Sequence, residues 1–437
     1  MKPFPIALWL SFGFLLTNCS KEAAPLNEES VEIFCSQTPK APTCPGAEFE
    51  QWLDLTIDQR PTLREQSFAS IPLSKFEANT LISEIFGDFQ TQLGLINGEL
   101  WRNRELRLGR WRMPFFFQKF GNAEFGRRSL FISMHGGGGA PAEVNDEQYR
   151  NQQHLYDTVM RTMEGIYLAP RAPEDASDMW YKDYIDEFFD LIIQLAVLYE
   201  GVDPNRVYLT GYSAGGDGVY QLAPRMADRW AATAMMAGHP NAAHPYSLAN
   251  TPFISYVGAQ DTGYDRNLKA AEWGTWMSLL KTESPELYHH SVNILEGYGH
   301  WMELQDSPAF TWMYQHTRES IPKRIHWQQT TQTREHFYWL SIPREKTTDK
   351  KRVTVELFPE ANQIHFTELY SDELSIWLND DMLDLDKPVI VTHGSTVLFE
   401  GMVERNILNM TQSLERRGDR HMIFSAKLEL SIGNIVE

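Results

Sequence analysis

Arg206-Val-Tyr-Leu-Thr-Gly-Tyr-Ser-Ala-Gly-Gly216 changes character halfway along its length. Val207 to Thr210 are β-branched, aromatic or aliphatic, and the turn-forming Asp203-Pro204-Asn205 precedes them, which predicts a strand. Gly211-Tyr212-Ser213-Ala214-Gly215 follows, a G-x-S-x-G pentapeptide, and Val219, Leu222, Ala223 and Met226 then recur at helical spacing. Strand, tight turn and helix in that order can hold a serine up on a strained turn. The glycines two residues to either side have a steric purpose, because strand and helix crowd together there. The same turn leaves the amide of Ala214 at a helix N-terminus, free to face a developing negative charge. Taken alone, the pentapeptide is equally a small-residue connection, so its meaning depends on the rest of the chain.

Working outward, Ser129 to Met134 and Gly165 to Ala169 read as strands before the pentapeptide. Ala231 to Met236, Phe253 to Val257 and Ser291 to Leu295 read as strands after it. Helical patterns lie around Gln148 to Met163, from Tyr184 to Glu200 and from Ala309 to Arg318, while Glu105 to Met113 and Phe115 to Phe120 suggest a two-strand meander. Strands alternating with helical segments imply crossover units and a mostly parallel sheet, covered on both faces. Sites on such sheets form at the C-terminal ends of the strands.

The residue types that acyl transfer requires lie at those strand ends. Ser213 needs a base, the base needs a carboxylate to orient it, and the oxyanion needs donors. His135-Gly136-Gly137-Gly138-Gly139 follows the strand ending at Met134, and a glycine loop lets backbone N–H groups approach a substrate closely. His300, between Gly299 and Trp301 after the last strand, is the favoured base. His239, His244, His289 and His290 read as surface or structural histidines. Asp261 follows the strand ending at Val257, with Asp265 as the alternative carboxylate; Asp217 reads as an acid favoured at a helix N-terminus.

A glycine loop after a strand, then G-x-S-x-G, then Asp, then His, resembles the α/β-hydrolase fold over residues 100 to 320. Within it, the stretch Asp203 to Gly216 is similar to exported poly(3-hydroxybutyrate) depolymerases, feruloyl esterases and related dienelactone-hydrolase or prolyl-oligopeptidase-type members. The resemblance implies Ser213 as nucleophile, His300 as general base and then acid, and Asp261 as orienter. It places the oxyanion hole at the amides of Gly136, Gly137 and Ala214. The expected activity is cleavage of a small-molecule or polymeric carboxylic ester through an acyl-enzyme, with no cofactor. A serine peptidase and a non-catalytic surface binding protein on the same scaffold are the alternatives. Trp180 and Tyr181 are pocket candidates, with aromatic packing as the competing role.

The remaining segments set compartment and boundaries. Met1-Lys2, the apolar run Ile6 to Leu16 and then Leu16-Thr17-Asn18-Cys19 resemble a bacterial lipoprotein signal. That resemblance implies lipidation of Cys19 and an exported protein anchored to a membrane, facing the periplasm or cell exterior. Cys35 and Cys44 flank a polar, Pro-containing loop whose spacing permits a local disulfide in an oxidising compartment. The 437 residues exceed what one core usually holds, and the division expected is a signal at 1–19, a tether at 20–47 and a helical prelude at 48–98. A catalytic α/β domain at 99–325 and a β-rich module at 326–437 follow, Trp339 and Trp377 in the latter reading as core. The formal net charge of −19 argues against a nucleic-acid partner, which calls for clustered basic surface.

Overall fold

A computed structural model of the chain describes residues 45–432. The expectations placed on residues 1–44, with Cys19, Cys35 and Cys44, lie outside the described residues. Contacts group the described residues into one compact unit. Among the described residues, no helix is long and apolar enough to cross a membrane.

Helices α1 (Pro45–Leu53) and α2 (Lys75–Arg102) come first. Ser74 caps α2 in a capping box: its hydroxyl accepts from the Glu77 N–H at 3.2 Å, and its own N–H donates to the Glu77 carboxylate at 2.8 Å. The chain then enters β1 (Glu105–Leu108), β2 (Trp111–Phe120) and β3 (Arg128–Met134). Next come α3 (Ala142–Gln152), α4 (Asp157–Met160), β4 (Gly165–Pro170) and α5 (Asp183–Glu200). Then follow β5 (Val202–Tyr212), α6 (Ala214–Arg225), β6 (Ala232–Met236) and β7 (Phe253–Gly258). Helix α7 (Arg266–Glu283), β8 (His290–Leu295) and α8 (Pro308–Tyr314) complete this part.

The eight strands form one sheet in the order β1-β2-β4-β3-β5-β6-β7-β8. Strand β2 runs antiparallel to its neighbours, and every pairing from β4 to β8 is parallel. This is the α/β-hydrolase architecture. Strands β4 and β6 are buried at every position and β3 from Ser129 onward, as expected where helices cover both faces of a parallel sheet.

Asp203-Pro204-Asn205, taken as a turn before the strand, lies inside β5 as an irregularity: Arg128 pairs with Val202, but Leu130 with Val207. Pro204 has no N–H to give a ladder, and the Asn205 N–H turns back to the Asp203 carboxylate at 2.9 Å. The excess residues loop out of the pairing while the strand continues.

The β6-to-β7 connection carries only a short 3-10 turn at Pro245–Leu248. The C-terminal segment packs against that turn. It contains β9 (Arg324–Gln328), β10 (His336–Phe337), β11 (Leu340–Ser341), β12 (Arg352–Phe358) and β13 (Gln363–Leu369). After these come β14 (Glu373–Leu378), β15 (Val389–His393), β16 (Thr396–Gly401), α9 (Ile407–Arg417) and β17 (Ala426–Ser431). They form a five-stranded sheet, β16-β15-β13-β12-β9, and a four-stranded sheet, β10-β11-β14-β17. The Gln328 N–H donates to the Ser247 hydroxyl at 2.9 Å, Asn250 to the Arg324 carbonyl at 2.8 Å, and Tyr246 shares a 2.7 Å bond with Thr354.

The β-rich segment and the main sheet share one hydrophobic core, to which Trp230 and Tyr220 contribute from one side and Trp339 and Trp377 from the other. Buried charges cross the same boundary. Arg417 lies 3.7 Å from the Asp228 carboxylate, Arg318 donates to the Asp228 backbone carbonyl at 2.8 Å and binds the Asp419 carboxylate, and Arg334 reaches Asp186 at 3.1 Å. Burial alone would push the Asp228 carboxyl up, but Arg229, Arg334, Arg417 and Arg318 outweigh it and hold it below the usual range. A second cluster joins the two ends of the described chain, packing Phe49, Leu81 and Ile85 of the prelude against Ile407, Met410 and Leu414 of α9.

Candidate active site

The pentapeptide forms the expected turn between β5 and α6. Ser213 sits at φ 57° and ψ −118°, a backbone state that a side-chain-bearing residue holds only when its surroundings enforce it. Two features enforce it here. The Ser213 N–H donates to the Met236 carbonyl at 2.9 Å, and the Asp217 N–H donates back to the Ser213 carbonyl at 3.0 Å. The glycines are required by close approach, not by dihedral. A Cβ on Gly211 would stand 2.3 Å from the Gly215 oxygen, and one on Gly215 would stand 2.2 Å from the Met134 oxygen.

The structure brings Ser213, His300 and Asp261 together from three strand ends. His300 Nε2 lies 2.9 Å from Ser213 Oγ, and His300 Nδ1 lies 2.8 Å from Asp261 Oδ2. An ionised carboxylate can only accept, so Nδ1 carries the proton and Nε2 is left to accept from the serine hydroxyl. Asp261 is 3% exposed, and Arg266 Nη1 approaches its second oxygen at 3.3 Å. Asp265, the alternative carboxylate, is exposed at the start of α7. The other histidines stand elsewhere: His239 turns back on Asn241, His244 stacks on Trp276, His289 on Trp312, and His290 meets Ser278.

The glycine loop is held from behind by buried side chains. Trp180 Nε1 donates to the His135 carbonyl at 2.9 Å, and His135 Nδ1 meets the Gly136 carbonyl at 2.6 Å. The Ala172 N–H donates to His135 Nε2 at 3.1 Å, which leaves Nδ1 as the protonated, donating nitrogen. Burial, the main effect, and Arg171 bring the His135 pKa down to about 4, so the ring is neutral near pH 7. In a trans peptide C=O and N–H point oppositely. Gripping the carbonyls of residues 135 and 136 therefore turns the N–H groups of Gly136 and Gly137 away from those grips. Gly137, at φ 111°, lines the cleft. The Gly138 N–H is taken by Asn145 Oδ1 at 3.0 Å. Ala214 opens α6, where its N–H has no intrahelical acceptor.

The cleft over Ser213 has a volume of about 940 Å³. Tyr212, His300 and Trp301 line it on one side, and Val144, Gln148, Asn151 and Leu155 on the other. Trp301 stays 51% exposed. Of the two expected pocket aromatics, Trp180 is fully buried beneath the glycine loop, and Tyr181 bonds Asn241 at 3.4 Å; neither lines this cleft. Sequence reading passed over Asn145, Tyr212 and Trp301; only Trp301, a tryptophan directly after the candidate base, had a local signal. A second cavity of about 270 Å³ between α1, α2 and α9 is lined by Arg60, Asp88 and Glu415 but by no serine, cysteine or histidine. Among the described residues no cluster of His, Cys, Asp and Glu is arranged to hold a metal.

No protein-family profile matches the chain, and no curated protein matches it. Solved structures do. A thermostable esterase is 15% identical over 49% of this chain and 62% of its own, with a TM-score of 0.38. A poly(3-hydroxybutyrate) depolymerase from Bordetella parapertussis is 14% identical over 48% of this chain and 88% of its own, with a TM-score of 0.37. A putative dipeptidyl aminopeptidase IV from Bacteroides ovatus is 12% identical over 48% of this chain and 35% of its own, with a TM-score of 0.37. The chain thus spans about three-fifths of the thermostable esterase.

Asp217, in the first turn of α6, serves the fold, because its carboxylate accepts the His239 N–H at 2.6 Å. Burial outweighs that bond and the nearby Arg266, and pushes its pKa from 3.8 up to about 6. The unfolded chain then releases this proton first, so ionisation erodes stability from about pH 4 to about pH 6 and costs a constant amount above. Asp217→Asn keeps an acceptor for His239 and removes the titration. The difference in melting temperature between the variant and the parent should rise through that window and then level off. A difference independent of pH would contradict the assignment.

Proposed function

We propose that this chain is a serine hydrolase that cleaves carboxylic esters through an acyl-enzyme on Ser213. The observation that carries the reading is the unbroken chain of hydrogen bonds from Asp261 through His300 to Ser213 Oγ, opening onto a cleft beside Gly137. Ser213 Oγ attacks the ester carbonyl carbon while His300 Nε2 takes its proton. The carbonyl oxygen becomes an oxyanion, met by the N–H groups of Gly136, Gly137 and Ala214. Asp261 keeps the imidazole in register and stabilises its charged form. When the tetrahedral intermediate collapses, His300 returns the proton to the departing alkoxide, and the alcohol leaves. A water then gives a proton to His300 and attacks the acyl carbon, and as the Oγ–acyl bond breaks His300 returns that proton to Ser213 Oγ, releasing the acid.

The size of the cleft supports a bulky or polymeric ester over a small, fully enclosed one. The signal-like N-terminus supports an exported, lipid-anchored placement through Cys19. Cys19→Ser should then release the protein from the membrane fraction of a bacterial host. Equal membrane retention of the variant would set the anchor aside.

The test of the reaction is hydrolysis of p-nitrophenyl esters, acetate through octanoate, by the mature protein and by Ser213→Ala. Removing the nucleophile should lower kcat by on the order of 10³-fold or more, and the chain-length profile would size the acyl side of the cleft. Turnover unchanged in Ser213→Ala would refute the triad. A parent protein that hydrolyses peptides but not esters would move the assignment to the peptidase alternative.

A further inference from the structure

The loop that carries His300 is fixed at its entrance and strained at its exit. At the entrance, the Gln260 N–H donates to the Tyr298 carbonyl at 2.9 Å, and the chains pass so closely that a Cβ on Gly258 would lie 2.1 Å from the Gly299 oxygen. At the exit, Glu303 and Leu304 take φ values of 51° and 63° in succession. Left-handed backbone at residues with a Cβ costs roughly 1–2 kcal/mol each and persists only where the surroundings hold it. The imidazole itself is 43% exposed and, among the described residues, bonds Asp261 and Ser213 alone. During turnover the bond to Ser213 breaks and re-forms, so the position of the ring depends on Asp261 and on how firmly its backbone is held.

Between the fixed entrance and the strained exit, one hydroxyl holds the main chain. Tyr212 Oη donates to the His300 carbonyl at 2.6 Å and accepts from the Met302 N–H at 3.1 Å. Its ring meets the His300 ring edge-on, with centroids 6.0 Å apart, and lies 5.7 Å from the Trp301 ring. Tyr212 is 8% exposed, and burial drives its pKa up, which keeps the hydroxyl protonated and able to donate. It is also the residue directly before Ser213 at the end of β5. One side chain therefore joins the turn of the nucleophile to the backbone of the base, across 88 residues of sequence. The same loop has a second tyrosine anchor further on, where Tyr156 Oη donates to the buried Asp306 carboxylate at 2.6 Å.

We propose that Tyr212 is a positioning residue, which sets the distance between Ser213 Oγ and His300 Nε2 by clamping the His300 and Met302 backbone. The proposal rests on the serine-hydrolase reading of the site. Tyr212→Phe keeps the ring and removes both hydrogen bonds. Sub-ångström loss of register at a proton-transfer pair should lower kcat by about 10- to 100-fold and leave KM within about twofold. The resting protein offers a readout independent of turnover. The proton on His300 Nδ1, held against Asp261, should give a low-field proton NMR signal that broadens or moves upfield in Tyr212→Phe. Tyr156→Phe is the comparison: it should lower the melting temperature, because it leaves Asp306 unpaired, while keeping kcat and the low-field signal close to those of the parent.

Unchanged kcat in Tyr212→Phe would overturn the proposal. So would a loss of activity that follows a fall in melting temperature with the low-field signal intact, as for a purely structural residue. If the parent protein cleaves neither esters nor peptides, the serine-hydrolase reading fails, yet the NMR comparison still decides whether Tyr212 holds the His300 loop.

Discussion

The site depends on the crowding of α6 against β5 at Gly211 and against β3 at Gly215, where neither residue has room for a Cβ. Everything at the site follows from that crowding. It forces Ser213 into a left-handed backbone, lifts its side chain off the strand end and leaves the Ala214 N–H at the head of a helix. The strain is held by the hydrogen bond from Ser213 to β6 and by the central place of β5 in the sheet. A serine in relaxed backbone would lie down along the strand or helix. A surrounding structure must over-determine the turn for it to survive.

The rest of the chain supplies that over-determination in two layers. Around the turn, buried side chains fix peptide orientation: Trp180 and His135 grip the glycine loop by its carbonyls, Asn145 occupies the Gly138 amide, and Tyr212 grips the His300 loop. Further out, the C-terminal strands cover the short β6-to-β7 connection and share a core with the main sheet. The buried Asp228, ringed by arginines from both parts, makes that boundary costly to open. Removing one partner of such a network typically costs about 3–5 kcal/mol. The β-rich segment is thereby part of the scaffold that holds the site.

The elements set by local rules were legible in the sequence. The pentapeptide announces itself because only glycine tolerates the two close approaches, and the glycine loop because only it allows such backbone exposure. Asp261 and His300 were readable from their places after successive strands of one sheet. What the sequence does not reveal is which side chain reaches across. Trp180 looks like a pocket aromatic in its loop, but burial and an indole hydrogen bond to the His135 carbonyl commit it to holding the loop. Asp203-Pro204-Asn205 has turn chemistry, and tertiary pairing absorbs it into β5 as an irregularity. Tyr212 appears as an unspecified position inside a motif, and its role depends on a backbone 88 residues later. Likewise the packing of α2 against α9 joins segments more than 300 residues apart, beyond the reach of any local pattern.

The proposed hydrolysis rests on activation of Ser213 by His300. It is tested most directly by exposing the folded protein to a fluorophosphonate and locating the adduct by peptide mass spectrometry. A single rapid adduct is expected on the peptide containing Ser213, reduced to the background rate in His300→Ala. No adduct in the folded protein, or one at another serine that persists in His300→Ala, would contradict it.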